Sequence, residues 1–219
     1  MILKLENVTK RYGHETIFSN LSFEVKKGEI FSIVGRSGIG KSTIAKIILG
    51  ITKPSSGRIL FENKDLNLRK ISDIQMIFQD PYSALNEEMT VNEILSEPLI
   101  VNKQKDISKR VDEMLEFLKL THFKDRYPSE LSGGQRQRVI VGAAMILKPK
   151  LVICDEPIAS LDLTIQEQII ELIKFFNEKY MTTFIFISHD LQIVKKISNT
   201  ILKMEEHIWV WEKQTKYQL

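Results

Sequence analysis

Gly35, Arg36, Ser37, Gly38, Ile39, Gly40, Lys41, Ser42 and Thr43 carry the spacing G-x-x-x-x-G-K-[ST], with every fixed position filled. Glycine permits backbone angles that a β-carbon forbids, so successive N–H groups in such a loop can turn inward and cradle phosphate oxygens. Lys41 adds a point charge for the terminal phosphates, and Ser42 offers a hydroxyl to Mg²⁺. The flanks fit this chemistry. Glu29 to Val34 (EIFSIV) reads as a buried strand leading into the loop, and Ser42 to Leu49 (STIAKIIL) as a helix leaving it, closed by Gly50.

A second anion site is written into Leu131 to Gln135 (LSGGQ). Ser132 followed three residues later by Gln135 is a capping-box pattern, so a helix opens here and runs to about Leu147, before Lys148 and Pro149 stop it. The amino terminus of a helix carries roughly half a positive charge and unpaired N–H groups. Gly133 and Gly134 leave the backbone bare, so a phosphate is expected to approach closely. One phosphate tail needs only one cradle from its own subunit. The second cradle is therefore expected to serve the nucleotide of another copy.

Four short apolar runs each end in a polar residue or glycine. Besides the run into Gly35, QMIF leads into Gln79, LVIC into Asp155 and Glu156, and TFIFIS into His189. Near-continuous apolar runs of this length suit strands buried on both faces of a parallel sheet, and open α/β sheets bind ligands beyond their carboxyl ends. Asp155 can hold Mg²⁺, directly or through water, opposite the Ser42 hydroxyl. Glu156 is placed to orient and deprotonate an attacking water. Gln79 can reach metal or water with a neutral amide that does not repel phosphate, and His189 can hydrogen-bond a γ-phosphate oxygen. The candidate catalytic residues are Glu156, His189, Gln79 and Lys41; the candidate metal ligands are Ser42, Gln79 and Asp155. His14, His122 and His207 show no ligand spacing.

The elements that must position these groups are legible. The first dozen residues alternate as a strand rather than forming a signal peptide. From Thr164 a helix places Ile165, Ile169, Leu172, Ile173 and Phe176 on one stripe, with Thr164 and Glu167 matching a capping box at its start. Residues 86 to 130 hold two amphipathic segments, the second with Val111, Met114, Leu115 and Leu118 on one face, and no strand-like run. An α/β core over 1–85 and 150–219, with a helical subdomain inserted over 86–149, is the expected organisation. Methionines there are core fillers.

Composition narrows the classes. The 219 residues suit one large domain or a domain with an insert, and the formal net charge of +3 gives no argument for nucleic acid. The single cysteine, Cys154, excludes an internal disulfide and sits in an apolar run as a small buried hydrophobe, compatible with a reducing compartment. The apolar run Val139 to Leu147 falls well short of the roughly 20 residues a spanning helix needs. The protein is expected to be soluble by itself, with any membrane role through a partner.

These stretches together resemble the ATP-binding subunits of ABC transporters over nearly the whole chain. The resemblance rests on the phosphate loop, Gln79 in IFQDP, LSGGQ, LVICDEP, Ser160-Leu161-Asp162, and His189. It implies an α/β P-loop NTPase core, mostly a parallel sheet with an N-terminal antiparallel β region, plus the helical insert. It also implies ATP and Mg²⁺ as cofactors, with Tyr12 stacking on adenine. In the head-to-tail dimer of the family, the loop of one subunit and LSGGQ of the other enclose each ATP, and Asp162 helps join the two sites. Phe78 to Asn86 (FQDPYSALN) resembles importer ATPases of peptide and nickel uptake systems. Glu87 stands where many of those have proline, and Gly142 where arginine is common. Several peptide-system members extend further at the carboxyl end, which tilts the expectation towards nickel or a chelated metal. Implied partners are integral-membrane permease subunits, a second identical or paralogous ATPase subunit and a solute-binding protein, at the cytoplasmic face of the membrane. A non-transport relative in DNA repair or translation would usually carry long coiled coils or two cassettes, for which this length leaves no room. A small-molecule kinase would not need LSGGQ.

Overall fold

A computed structural model describes residues 1–78, 84–159, 161–205 and 208–213. Gln79, Ser160, His207 and the middle of the FQDPYSALN segment lie outside the described residues. In chain order the elements are β1 (Leu3–Tyr12), β2 (Glu15–Val25), β3 (Ile30–Gly35), α1 (Lys41–Ile48), β4 (Ser56–Phe61), β5 (Lys64–Asp65), β6 (Ile74–Ile77), α2 (Val91–Val101), α3 (Ile107–Leu118) and α4 (Gly133–Met145). There follow β7 (Leu151–Asp155), α5 (Leu163–Tyr180), β8 (Thr183–Ser188), α6 (Leu191–Ile197), β9 (Thr200–Glu205) and β10 (Ile208–Lys213).

Two sheets result. One is antiparallel in the order β2-β1-β4-β5 and uses the alternating strand seen at the start of the sequence. The other runs β10-β9-β3-β8-β7-β6, parallel throughout except for the β9–β10 hairpin. The parallel strands are apolar on both faces because both faces are covered. Phe31, Ile33, Ile153, Ile185 and Ile187 pack with Ile44, Ile47 and Ile48 of α1 and with Leu3, Leu5 and Val8 of β1. Their sequence neighbours Ile30, Val34, Val152, Phe184 and Phe186 face the helical side instead, as a two-residue period requires. Cys154 lies in this second layer, fully buried as a free thiol. Burial pushes its thiol pKa up.

The helical layer follows its sequence signals. Thr90 and Glu93 close a capping box at the start of α2, and α3 buries Val111, Met114, Leu115 and Leu118. The capping box at Ser132 and Gln135 is present: the Ser132 hydroxyl accepts from the Gln135 N–H at 3.3 Å, and the Gln135 side chain accepts from the Ser132 N–H at 2.9 Å. Glu87 pairs with Arg136 of α4 at 2.6 Å. One expectation needs correction. The cap of α5 is Asp162, whose carboxylate accepts from the Ile165 N–H at 3.0 Å, not a box of Thr164 and Glu167. Aspartate is a stronger cap than threonine and stands two residues earlier, so the helix begins at Leu163 and leaves Thr164 inside its first turn.

Candidate nucleotide site

Strand register brings the candidate residues to one edge. Val34 lies opposite Ser188, Ile187 opposite Asp155, and Cys154 opposite Ile77, so Gly35, Asp155 and His189 leave the parallel sheet on the same side. The phosphate loop then turns into α1 through Gly40, whose φ of +105° is open only to glycine. A β-carbon there would also lie 2.6 Å from Ile17 Cγ2. Gly40 O accepts from the Thr43 and Ile44 N–H groups at 3.0 and 3.1 Å, which starts the helix. No acidic residue occupies the first turn of α1, so its positive end is left for an anion.

Lys41 is almost fully buried, and its Nζ donates to Gly35 O at 2.8 Å and Arg36 O at 2.9 Å. Burial holds its pKa below the ordinary lysine value, with Glu156 and Asp155 pulling the other way. The ammonium is thus anchored to the loop it serves. Asp155 faces the Ser42 hydroxyl; burial raises its pKa and the neighbouring Glu156 adds to the rise, while Ser42, Lys41 and Lys46 oppose it. These two oxygen groups, a carboxylate facing a hydroxyl at a helix amino terminus, are the hard donors that Mg²⁺ prefers.

Glu156 sits one residue beyond the strand with φ of +48°, a conformation that a non-glycine residue keeps only when its surroundings hold it. Its N–H donates to Ile187 O at 3.0 Å. Its carboxylate Oε2 lies 3.1 Å from His189 Nδ1, the glutamate side chain being mostly covered and the imidazole mostly exposed. Gly35, Arg36, Ser37, Ile39, Glu156 and His189 line one cavity of about 1040 Å³.

The remaining candidates lie elsewhere. Ser132 to Gln135 form the first turn of α4 and do not line that cavity. Gly134 is buried, and a β-carbon on it would lie 2.8 Å from Ile165 Cδ1 of α5. Its lack of a side chain lets α4 and α5 approach; Gly133 and Ser132 are the more accessible part of that turn. Tyr12 ends β1 half exposed, with Lys10 Nζ 4.4 Å from its ring centroid on one face. Asp162 caps α5. Two residues that the sequence reading passes over also touch the site's supports. Gln137 and Gln166 bond backbone carbonyls of the segment between Glu156 and Asp162.

A parallel sheet with a phosphate loop leading into α1, and acidic groups at neighbouring strand ends, defines the class: a P-loop nucleotide-binding α/β protein. Residues 18–159 match the family model described as ABC transporter. The oligopeptide transport ATP-binding protein AppF of Bacillus subtilis is 40% identical over 204 residues, covering 88% of this chain and 62% of AppF. OppF of Salmonella typhimurium, also an oligopeptide transport ATP-binding protein, is 43% identical over 84% of this chain and 59% of its own length. The chain thus spans about three fifths of these relatives. Among solved structures, cbiO1 from Clostridium perfringens, part of the ABC transporter complex cbiONQ, superposes with a TM-score of 0.87 at 32% identity, covering 95% of this chain and 86% of cbiO1. The ATP-binding cassette MJ0796, a dimer in a post-hydrolysis state with ADP and Pi, gives 0.84 at 30% identity over 99% of this chain and 100% of the other. The chain belongs to the ABC transporter family, and the matched region is its ATP-binding cassette.

Proposed function

We propose that this chain binds and hydrolyses ATP to power an importer for peptides or a chelated metal, through separate integral-membrane permease subunits fed by a solute-binding protein. Its relatives AppF and OppF, named for oligopeptide transport, give peptides the stronger support. The observation that carries the reading is the convergence of the phosphate loop, the Asp155–Ser42 pair and the Glu156–His189 pair at one edge of one sheet. Lys41 and the α1 amino terminus hold the triphosphate, Tyr12 offers its free ring face to adenine, and Glu156 takes the proton of the attacking water. Ser42 and Asp155 would hold Mg²⁺, with Gln79 as a further ligand. Once bound, the ion neutralises charge on the phosphoryl oxygens. His189 bonds the γ-phosphate while supporting Glu156.

The LSGGQ turn stands away from its own chain's cavity with the positive end of a 13-residue helix behind it. That placement supports a head-to-tail pair, with a second copy or a paralogue, in which each LSGGQ covers the other subunit's ATP and Asp162 lies near the junction. The helical segment 86–149 is the unit that carries LSGGQ, and the core of 1–85 and 150–219 carries the loop. Among the described residues no helix is long and apolar enough to cross a membrane, so the place assigned at the cytoplasmic face follows from docking on the permease.

The test is phosphate release from ATP and Mg²⁺ by the purified chain and by Glu156→Gln. The variant is expected to lose about 10²–10⁴-fold in rate and to keep ATP binding. Full turnover in the variant would remove Glu156 as the base. Absence of ATP binding by the unaltered chain would overturn the reading.

A further inference from the structure

Side-chain amides of two helices hold the backbone carbonyls of Pro157, Ile158 and Leu161, which follow Glu156. Gln137 of α4 is fully buried and donates its Nε2 to Pro157 O at 2.7 Å. Gln166 of α5 donates its Nε2 to Ile158 O at 3.1 Å and Leu161 O at 3.0 Å. Inside the segment, the Ala159 N–H reaches Glu156 O at 3.3 Å and the Leu161 N–H reaches Ile158 O at 3.2 Å. Glu156 itself holds φ of +48°. Such a conformation persists only where neighbouring contacts over-determine it.

Gln137 differs from Gln166 in one respect. Its Oε1 is buried with no hydrogen-bond partner among the described residues. An unpaired buried amide oxygen carries a desolvation penalty that an apolar side chain of equal volume would not. Packing alone therefore does not account for glutamine at this position. The bond to Pro157 O does, because it joins two parts of the site. Gln137 stands two residues beyond Gln135, on the helix whose first turn is LSGGQ, and its acceptor is the carbonyl of the residue after Glu156.

We propose that Gln137 is a positioning residue: it ties the placement of the LSGGQ helix to the backbone of Glu156. In the proposed dimer each LSGGQ grips the nucleotide held by the other subunit. Gln137 then links that grip to the glutamate acting on the chain's own nucleotide. The inference rests on Glu156 being the base, as proposed above.

Gln137→Met tests it, since methionine keeps length and volume and removes both the donor and the orphan oxygen. The expected result is a Tm close to that of the unaltered chain, since the loss of the orphan oxygen offsets the unpairing of Pro157 O. Amide hydrogen exchange of the nucleotide-free chain should quicken at Ala159 and Leu161 with α4 protection unchanged. Turnover should fall about ten- to a hundredfold with KM for ATP within about twofold. Unchanged exchange at Ala159 and Leu161, or unchanged turnover, overturns the proposal. So does a lowered Tm with exchange quickened throughout, which is the mark of a purely structural role. If the unaltered chain binds ATP but releases no phosphate, the functional reading fails on its own, while the exchange measurement still decides whether Gln137 holds this segment. Gln137→Leu serves the same comparison if the methionine variant does not fold.

Discussion

His189 Nδ1 lies 3.1 Å from Glu156 Oε2, and the two side chains come from the ends of adjacent parallel strands. Because the carboxylate can only accept, the imidazole donates through Nδ1, and this fixes which ring nitrogen is turned away. With the imidazole 58% exposed and the carboxylate 15%, the histidine is the reachable half of the pair.

Removing that half leaves the fold intact, since an exposed imidazole contributes little packing. His189→Ala should lower ATP hydrolysis by about a hundredfold or more, the scale of a lost proton-transfer or orienting group. ATP affinity should change only slightly. Phosphate release measured beside equilibrium nucleotide binding checks this. Hydrolysis within a few-fold of the unaltered chain would separate His189 from the chemistry.

The close approach of α4 to α5 sets a second expectation. A β-carbon at Gly134 would lie 2.8 Å from Ile165 Cδ1 and 3.0 Å from its Cγ2. Gly134→Ala should therefore cost about 1–3 kcal/mol in urea unfolding. Ile165→Ala clears that space, so the two substitutions together should be less destabilising than their sum, by more than the ~0.5 kcal/mol typical of independent sites. Strict additivity would place the obstacle elsewhere.

Acid sensitivity of α2 follows from its cap. The Thr90 N–H and hydroxyl both donate to Glu93 Oε2, at 2.7 and 2.8 Å, and these bonds hold the Glu93 pKa below the ordinary glutamate value. A carboxylate with a lowered folded-state pKa adds stability above its unfolded value and loses it as pH falls through the folded one. Glu93→Gln should be less stable than the unaltered chain at neutral pH, with the difference closing in acid. Urea midpoints across the acid range check it; a constant difference would refute the charge-based part of the cap.

Local patterns carried much of this architecture because they are local in cause. Runs such as Phe184 to Ile187 are apolar at every position because the strand is covered on both faces, and Asp155 and His189 follow two such runs at the edge where the sheet meets the phosphate loop. Ser132 and Gln135 cap a helix through atoms three residues apart, so spacing alone exposes them. At the start of α5, Thr164 and Glu167 fit a cap pattern, but Asp162 outcompetes them. Gln137 is invisible to any such pattern. Its partner is 20 residues away, and a glutamine within a helix ordinarily faces solvent. The packing constraint on Gly134 is hidden for a related reason, since the atom that excludes a side chain belongs to another helix.

Sedimentation of Glu156→Gln with ATP and Mg²⁺ tests most directly whether the loop and the LSGGQ turn meet across two chains. Twice the monomer mass is expected with ATP. The monomer mass should return with ADP, and also in a variant that adds Ser132→Tyr at the helix amino terminus. A monomer at saturating ATP, both alone and beside a paralogous ATPase subunit, would contradict a meeting across two chains.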